Sequence, residues 1–116
     1  MTKLSSLSSD FEFKKLLRSK RINNIYFTIY FGKIYDTNQK YFKVSVVTKK
    51  KIGNAVKRNK IKRKLKSSII KNMDKLKNTK KYGYLILAGN KVYEEKFNIL
   101  NEKVNQSFTK IKEIIN

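Results

Sequence analysis

The sequence contains no cysteine and no histidine, and these two absences exclude much of protein chemistry. Without cysteine there is no disulfide, no thiolate metal site and no thiol nucleophile. Without histidine there is no imidazole to act as an acid, a base or a metal ligand. The lack of cysteine fits a reducing compartment, and we expect the protein to be cytoplasmic.

Carboxylates are scarce as well. The 116 residues include 29 Lys and Arg but only 8 Asp and Glu, which gives a formal net charge of +21. The few carboxylates form no cluster suited to metal-assisted hydrolysis, and no Gly-rich phosphate loop is present. We therefore expect no catalytic residue and no metal on the protein itself. A chain this basic binds polyanions at low salt.

Long apolar runs, low-complexity segments and internal repeats are also missing. No stretch is long enough to span a bilayer, and the polar start MTKLS does not resemble a signal peptide. The length of 116 residues and the 40% hydrophobic content suit one small core. We predict a single domain over residues 1–116 and no membrane association.

The most distinctive stretch is 49–66, KKKIGNAVKRNKIKRKLK, which has no acidic residue. Its apolar residues recur at steps of three, four or five, and this spacing predicts a mostly buried helix. Asn54 is a good N-cap for that helix. Gly53 allows a positive φ and a close approach of the backbone to a partner.

Positive charge falls on two sides of this helix when each residue is turned by about 100°. We call these sides the Lys57 flank (Lys57, Lys60, Lys64 and Lys71) and the Arg58 flank (Arg58, Lys62 and Lys66). A solvated amphipathic helix would gather its charges on one face. The pattern favours a helix between two anionic partners, such as nucleic acid, over a Lys-rich solvated helix.

The remaining patterns predict the element order α-β-β-α-β-α. A capping box at Ser9 opens the first helix, the strands alternate or are continuously apolar, and the last helix packs on the core. The predicted elements are helix 10–19, strand 25–32, strand 41–48, the basic helix, strand 84–88 and a helix whose apolar stripe runs from Tyr93 to Ile115.

The first helix and the first two strands are predicted to share one surface. From the residues alone, Phe13 is more simply a core residue, and tyrosines on a sheet are often plain packing. The same groups also suit stacking on unpaired bases. Thr28, Tyr30, Val47 and Lys49 are expected on the sheet face that meets Phe13.

The segment 50–63, KKIGNAVKRNKIKR, resembles the signature of the bacterial ribonuclease P protein subunit, K-K-x-G-N-A-V-x-R-N-R-I-K-R. The chain departs at Lys60, where the family usually has Arg, so the charge is kept but the planar fork is lost. Residues 12–17 are similar to the family's D-F-x-x-V-F stretch. Phe13 takes the place of its first aromatic residue, and Leu17 stands where a second aromatic is common.

The resemblance implies an α+β fold of the order αβββαβα. This is a single-domain, two-layer sandwich like the second domain of ribosomal protein S5, with a short strand that the pattern does not show. It also implies a left-handed βαβ crossover, whereas physical chemistry alone favours a right-handed one.

The resemblance further implies a function. A catalytic RNA carries the active site and binds Mg²⁺, and one protein per RNA assists removal of the 5′ leader from precursor tRNA. Residues implied to contact the catalytic RNA are Lys50, Lys51, Gly53, Asn54, Lys57, Arg58, Asn59, Lys60, Lys62, Arg63 and Lys64. Residues implied to form the leader cleft are Phe13, Leu17, Thr28, Tyr30, Val47 and Lys49.

Two other classes of function are open. A structural RNA-binding protein of the ribosomal type explains the charge equally well but not the Gly-Asn-Ala-Val-x-Arg-Asn signature. A membrane-surface or partner-binding module would use a basic amphipathic helix. The absence of a single polar face on the basic helix argues against that module.

Overall fold

The computed structural model describes residues 4–77 and 79–115. Short 3₁₀ turns at Lys50–Ile52, Met73–Leu76 and Asn90–Val92 join some of its elements. The strands and helices are β1 (Leu4–Ser5), α1 (Asp10–Leu17), β2 (Lys20–Asn23), β3 (Phe27–Lys33), β4 (Phe42–Thr48), α2 (Ala55–Asn72), β5 (Tyr82–Ala88) and α3 (Phe97–Ile115).

The strands form one mixed sheet in the order β1-β4-β5-β3-β2. β4 is parallel to both β1 and β5, while β3 is antiparallel to β5 and β2. The predicted α+β class and the family order αβββαβα are confirmed, with the two-residue β1 in addition. β4, α2 and β5 form the predicted βαβ crossover, whose left hand stays an expectation from the resemblance.

One face of the sheet is covered by α2 and α3, and the main hydrophobic core lies there. The alternation of each strand decides which residues enter it: Phe27, Ile29 and Phe31 of β3 are buried, as predicted. β5 lies between β3 and β4, so the prediction of a buried central strand is confirmed. The two-turn helix α1 lies over the other face.

The start of β3 differs from the prediction. Residues 24–26 form a turn, in which the Asn24 side chain accepts hydrogen bonds from the backbone N–H groups of Tyr26 and Phe27 at 2.8 and 3.0 Å. The turn breaks the alternation, so Ile25 is 65% exposed while Tyr26 is buried. The turn closes the β2–β3 hairpin, whose strand β2 is the one that only the resemblance implied.

Two helix boundaries also differ from the prediction. α1 ends at Leu17, two residues early, because the chain turns at Arg18 and Ser19 into β2. α3 begins at Phe97, and Tyr93 lies in the turn before it instead of on the helix. In the described residues no helix is long and apolar enough to cross a membrane.

Candidate nucleic-acid interface

The basic helix α2 begins as predicted. Asn54 is its N-cap, since its Oδ1 accepts a hydrogen bond from the backbone N–H of Lys57 at 2.9 Å. Gly53 is extended (φ 160°, ψ −168°), so the expected use of a positive φ is wrong. What Gly53 provides is space, because a Cβ there would lie 2.7 Å from Cδ of Lys57.

The buried side of α2 is narrow and apolar. Ile61, Leu65 and Ile69 are fully buried against the sheet and α3, and they fix how the helix is rotated. This rotation leaves Asn59 and Arg63 exposed on the outer side. The charged flanks therefore lie to either side of the apolar stripe, as the spacing predicted.

The Arg58 flank lies on one side of this stripe. Arg58 Nε donates a hydrogen bond to the Gly53 carbonyl at 3.2 Å, which holds the guanidinium beside the helix start. Because the guanidinium has four more N–H donors, it can still bind a phosphate in two places. Lys62 is half-buried and Lys66 is exposed on the same flank.

The Lys57 flank lies against the protein's own residues 92–97. Lys57 Nζ and Lys60 Nζ lie 5.0 and 5.1 Å from the centroid of the Tyr93 ring. Farther along the helix, Lys71 Nζ lies 5.4 Å from the centroid of the Phe97 ring. The chain itself thus accounts for part of the charge that the spacing assigned to a second anionic partner.

Lys64 has an internal role that spacing alone does not reveal. Its ammonium donates hydrogen bonds to the carbonyls of Val92, Tyr93 and Glu95 at 3.0, 2.9 and 2.6 Å. Desolvation and the nearby Lys60 lower the pKa of Lys64, while Glu95 opposes that shift. All three donors are used, so its implied contact with RNA remains a prediction that competes with these bonds.

The connection from β4 to α2 is exposed and basic. Lys49, Lys50 and Lys51 are all exposed. Lys49 and Lys51 line a shallow depression of about 350 Å³ together with Thr28 of β3 and Leu87 of β5. This depression joins the start of the basic helix to the face of the sheet that carries α1.

That second face forms the predicted cleft in part. β-sheet pairing places Thr28, Leu87 and Val47 in one row across three strands, and Tyr30, Leu85 and Ser45 in the next. Phe13, Tyr30 and Val47 all pack, partly buried, against a small cluster of Leu7, Leu16 and Leu85. The structure therefore brings these three predicted cleft residues together.

The other predicted cleft residues lie at the margins. Leu17 is 54% exposed on α1, and Lys49 is exposed beyond the end of β4. Sequence reasoning missed the residues that form the floor: Leu7, Leu16 and Leu85. The position of Leu85 two residues before Leu87 in the same strand could have identified it.

Hydrogen bonds fix α1 over the sheet. The backbone N–H of Leu7 donates to Ser45 Oγ at 3.0 Å. The Glu12 carboxylate accepts from Ser8 Oγ at 2.8 Å and from the Tyr35 hydroxyl at 2.9 Å. Desolvation acts to raise the pKa of Glu12, but these hydrogen bonds outweigh it and the pKa is lowered.

The N-cap of α1 is Ser9, as predicted, and its side chain accepts a hydrogen bond from the backbone N–H of Glu12. The capping box is displaced by one residue, however, because the Glu12 carboxylate reaches Ser8 instead of Ser9. In residues 4–77 and 79–115, no group of three or more carboxylates lies close enough to hold a metal ion.

Comparison with known proteins adds the family. The model of the Ribonuclease P family matches residues 1–112. The ribonuclease P protein component of Mycoplasma mycoides is 32% identical over 107 residues, covering 91% of this chain and 94% of that protein. The same component of Streptococcus agalactiae is 31% identical, covering 90% and 91% of the two chains.

Solved structures share the fold. The ribonuclease P protein of Thermotoga maritima superimposes with a TM-score of 0.75 at 22% identity, covering 91% of this chain and 96% of that one. That of Staphylococcus aureus gives a TM-score of 0.70 at 19% identity, covering 96% and 97%.

Proposed function

This chain belongs to the ribonuclease P protein family, and we propose that it binds the catalytic RNA of that enzyme and the 5′ leader of precursor tRNA. The family protein is a subunit of a ribonucleoprotein endonuclease of tRNA processing. We assign cleavage to the RNA, which would carry the active site and the catalytic Mg²⁺. The protein's part is to hold two RNAs in position.

One observation supports this proposal above the others. A half-open cleft with aromatic side chains and a helix with two basic flanks meet at the exposed Lys49–Lys51 segment. A protein that needed only to bind one RNA duplex would have no use for the cleft. The arrangement suits a single-stranded leader on one side and a folded RNA on the other.

In the leader cleft, we assign Phe13 and Tyr30 to contact with unpaired bases. Both rings are partly buried against the Leu7, Leu16 and Leu85 cluster, so their orientation is held while one part remains accessible. Val47 and Thr28 supply the floor, and Lys49 a charge for a phosphate at the end of the cleft. Stacking on such rings is worth about 1–3 kcal/mol per base.

On the basic helix, we assign the Arg58 flank and the exposed Lys50, Lys51, Asn59 and Arg63 to the catalytic RNA. Positive charge here screens the repulsion between two polyanions and releases counterions. We further propose a one-to-one complex in the cytoplasm, without membrane association. These assignments leave the protein without a catalytic group of its own.

Reconstitution tests the proposal. The protein is mixed with its cognate catalytic RNA and a precursor tRNA at low Mg²⁺, and release of the 5′ leader is measured. We expect faster release than with the RNA alone and none with the protein alone. A protein that binds the RNA but leaves the rate unchanged would instead support the structural, ribosomal type of RNA binder.

A further inference from the structure

Tyr93 lies where two lysines of the basic helix converge. Lys57 Nζ and Lys60 Nζ are each about 5 Å from its ring centroid, so the two ammonium groups are at most about 10 Å apart. The ring is partly buried and packs against the main core. Like charges repel, and the negative face of an aromatic ring offsets this repulsion by attracting both cations.

The position of Tyr93 is itself fixed from two sides. Lys64 donates to the carbonyls of Val92, Tyr93 and Glu95, which anchors this turn to α2. On the far side, the Tyr26 hydroxyl donates to the Glu95 carboxylate. The ring is therefore held on a rigid turn, and the lysine side chains adjust to it.

A cavity of about 440 Å³ opens beside this group of side chains. It is lined by Lys57 and Tyr93, by the 65% exposed Ile25 at the hairpin tip, and by Lys91 and Glu94. The lysines supply charge for a phosphate, and Ile25 supplies an apolar surface for a sugar or base. The carboxylate of Glu94 keeps a phosphate toward the lysine side of the cavity.

We propose that Tyr93 is a positioning residue that gathers Lys57 and Lys60 into a two-cation clamp for a phosphate of the catalytic RNA. The cavity beside the clamp seats the adjoining unpaired nucleotide. Two ammonium groups held over one ring give the double contact that an arginine fork gives, at the place where Lys60 replaces the family's usual Arg. This inference rests on the proposed function and adds a site on the Lys57 flank, away from the leader cleft.

The test measures the affinity for the cognate catalytic RNA over a series of salt concentrations. Tyr93→Leu removes the ring face, and we expect the log–log slope to flatten by one to two counterions, about 0.7–0.9 each. Tyr93→Phe keeps the ring and should retain the wild-type slope. Phe97→Leu is the matched control, since it removes the ring beneath Lys71 on the same flank and should leave the slope unchanged.

A double-mutant comparison shows whether Tyr93 acts through the lysines. In a Lys57→Gln/Lys60→Gln background, Tyr93→Leu should have no further effect on the slope. The two lysine substitutions should also lose less together than the product of their separate fold-losses. This second readout leaves Tyr93 intact, so it decides the matter even where Tyr93→Leu does not fold.

Three results would overturn the clamp. One is a folded Tyr93→Leu protein with the wild-type slope, and another is independent losses from the two lysines. The third is an effect of Tyr93→Leu on precursor tRNA binding alone. Lys62→Gln on the opposite flank separates the two proposals: if it flattens the slope while Tyr93→Leu does not, the clamp fails and the proposed RNA binding stands.

Discussion

The two faces of the sheet are built from the same strands but differ in how completely they are covered. The face under α2 and α3 holds the main core, in which side chains such as Ile29, Ile86 and Phe108 are fully buried. The face under α1 has a cluster of only three buried residues, with Phe13 and Tyr30 partly exposed beside it.

This difference separates stability from binding along each strand. In β3 the odd-numbered residues Phe27, Ile29 and Phe31 are buried in the core, while Thr28 and Tyr30 face the cleft. A fully covered face contributes free energy of folding, but it has no surface left for a ligand. A half-covered face costs stability and leaves apolar and aromatic surface for an unpaired strand.

The largest expected effect compares two adjacent residues of β5. Ile86 is fully buried on the core face, and Ile86→Ala should lower the free energy of unfolding by about 3–4 kcal/mol because it leaves a cavity. Leu87, on the cleft face, is half-buried, and Leu87→Ala should cost about 1 kcal/mol. Urea unfolding measures both, and equal losses would contradict the division between the faces.

The second prediction tests the cleft directly. Phe13→Ala combined with Tyr30→Ala should weaken binding of leader-bearing precursor tRNA by about 1–3 kcal/mol and leave mature tRNA unaffected. Phe11→Ala is the control, since that ring is on the same helix but 71% exposed outside the cluster. A mutant with an unchanged melting temperature and an unchanged preference for the leader would remove the cleft assignment.

The third prediction separates structural cations from RNA-binding ones on α2. Lys64→Met should lower the free energy of unfolding by about 1–2 kcal/mol, because three carbonyls lose a charged donor. The salt dependence of RNA binding should change little. Lys62→Met should do the opposite, with near-wild-type stability and a slope reduced by about one unit. The idea fails if Lys64→Met is as stable as wild type.

The smallest expected effect concerns pH and the anchoring of α1. The pKa of Glu12 is lowered in the folded protein, because hydrogen bonds from Ser8 and Tyr35 outweigh desolvation. Its stabilisation is therefore present above the unfolded pKa and lost as pH falls through the folded pKa. Glu12→Gln should reduce the free energy of unfolding by less than about 0.5 kcal/mol near neutral pH. The difference should vanish in acid, and a constant difference would contradict it.

Much of the fold followed from local patterns. The alternation in β4, the apolar run of β5, the Asn54 cap and the stripe of α3 each predicted an element of the right type. The hairpin at Asn24 did not follow, because an Asx-type turn exchanges the faces of Ile25 and Tyr26 over two residues. Strand β2, with three of its four residues exposed, carries no alternation of apolar residues to detect.

The candidate sites divide in the same way. The signature over residues 50–63 was sufficient to identify the basic helix and its family from the sequence. The sequence could not show that the Lys57 flank lies against Tyr93 and the carbonyls that follow Val92. Those residues are about thirty positions away from Lys64 along the chain, and only folding brings them together.

The sequence by itself determined the net charge, the absence of imidazole and thiol chemistry, and the two charged flanks of α2, since these depend only on composition and on the period of a helix. Tertiary structure alone decided which cations are used internally, as for Lys64, and which rings remain accessible, as for Phe13 and Tyr30. The physical reason is that a charge or a ring acquires its role from the neighbours that packing gives it, and those neighbours are distant in sequence.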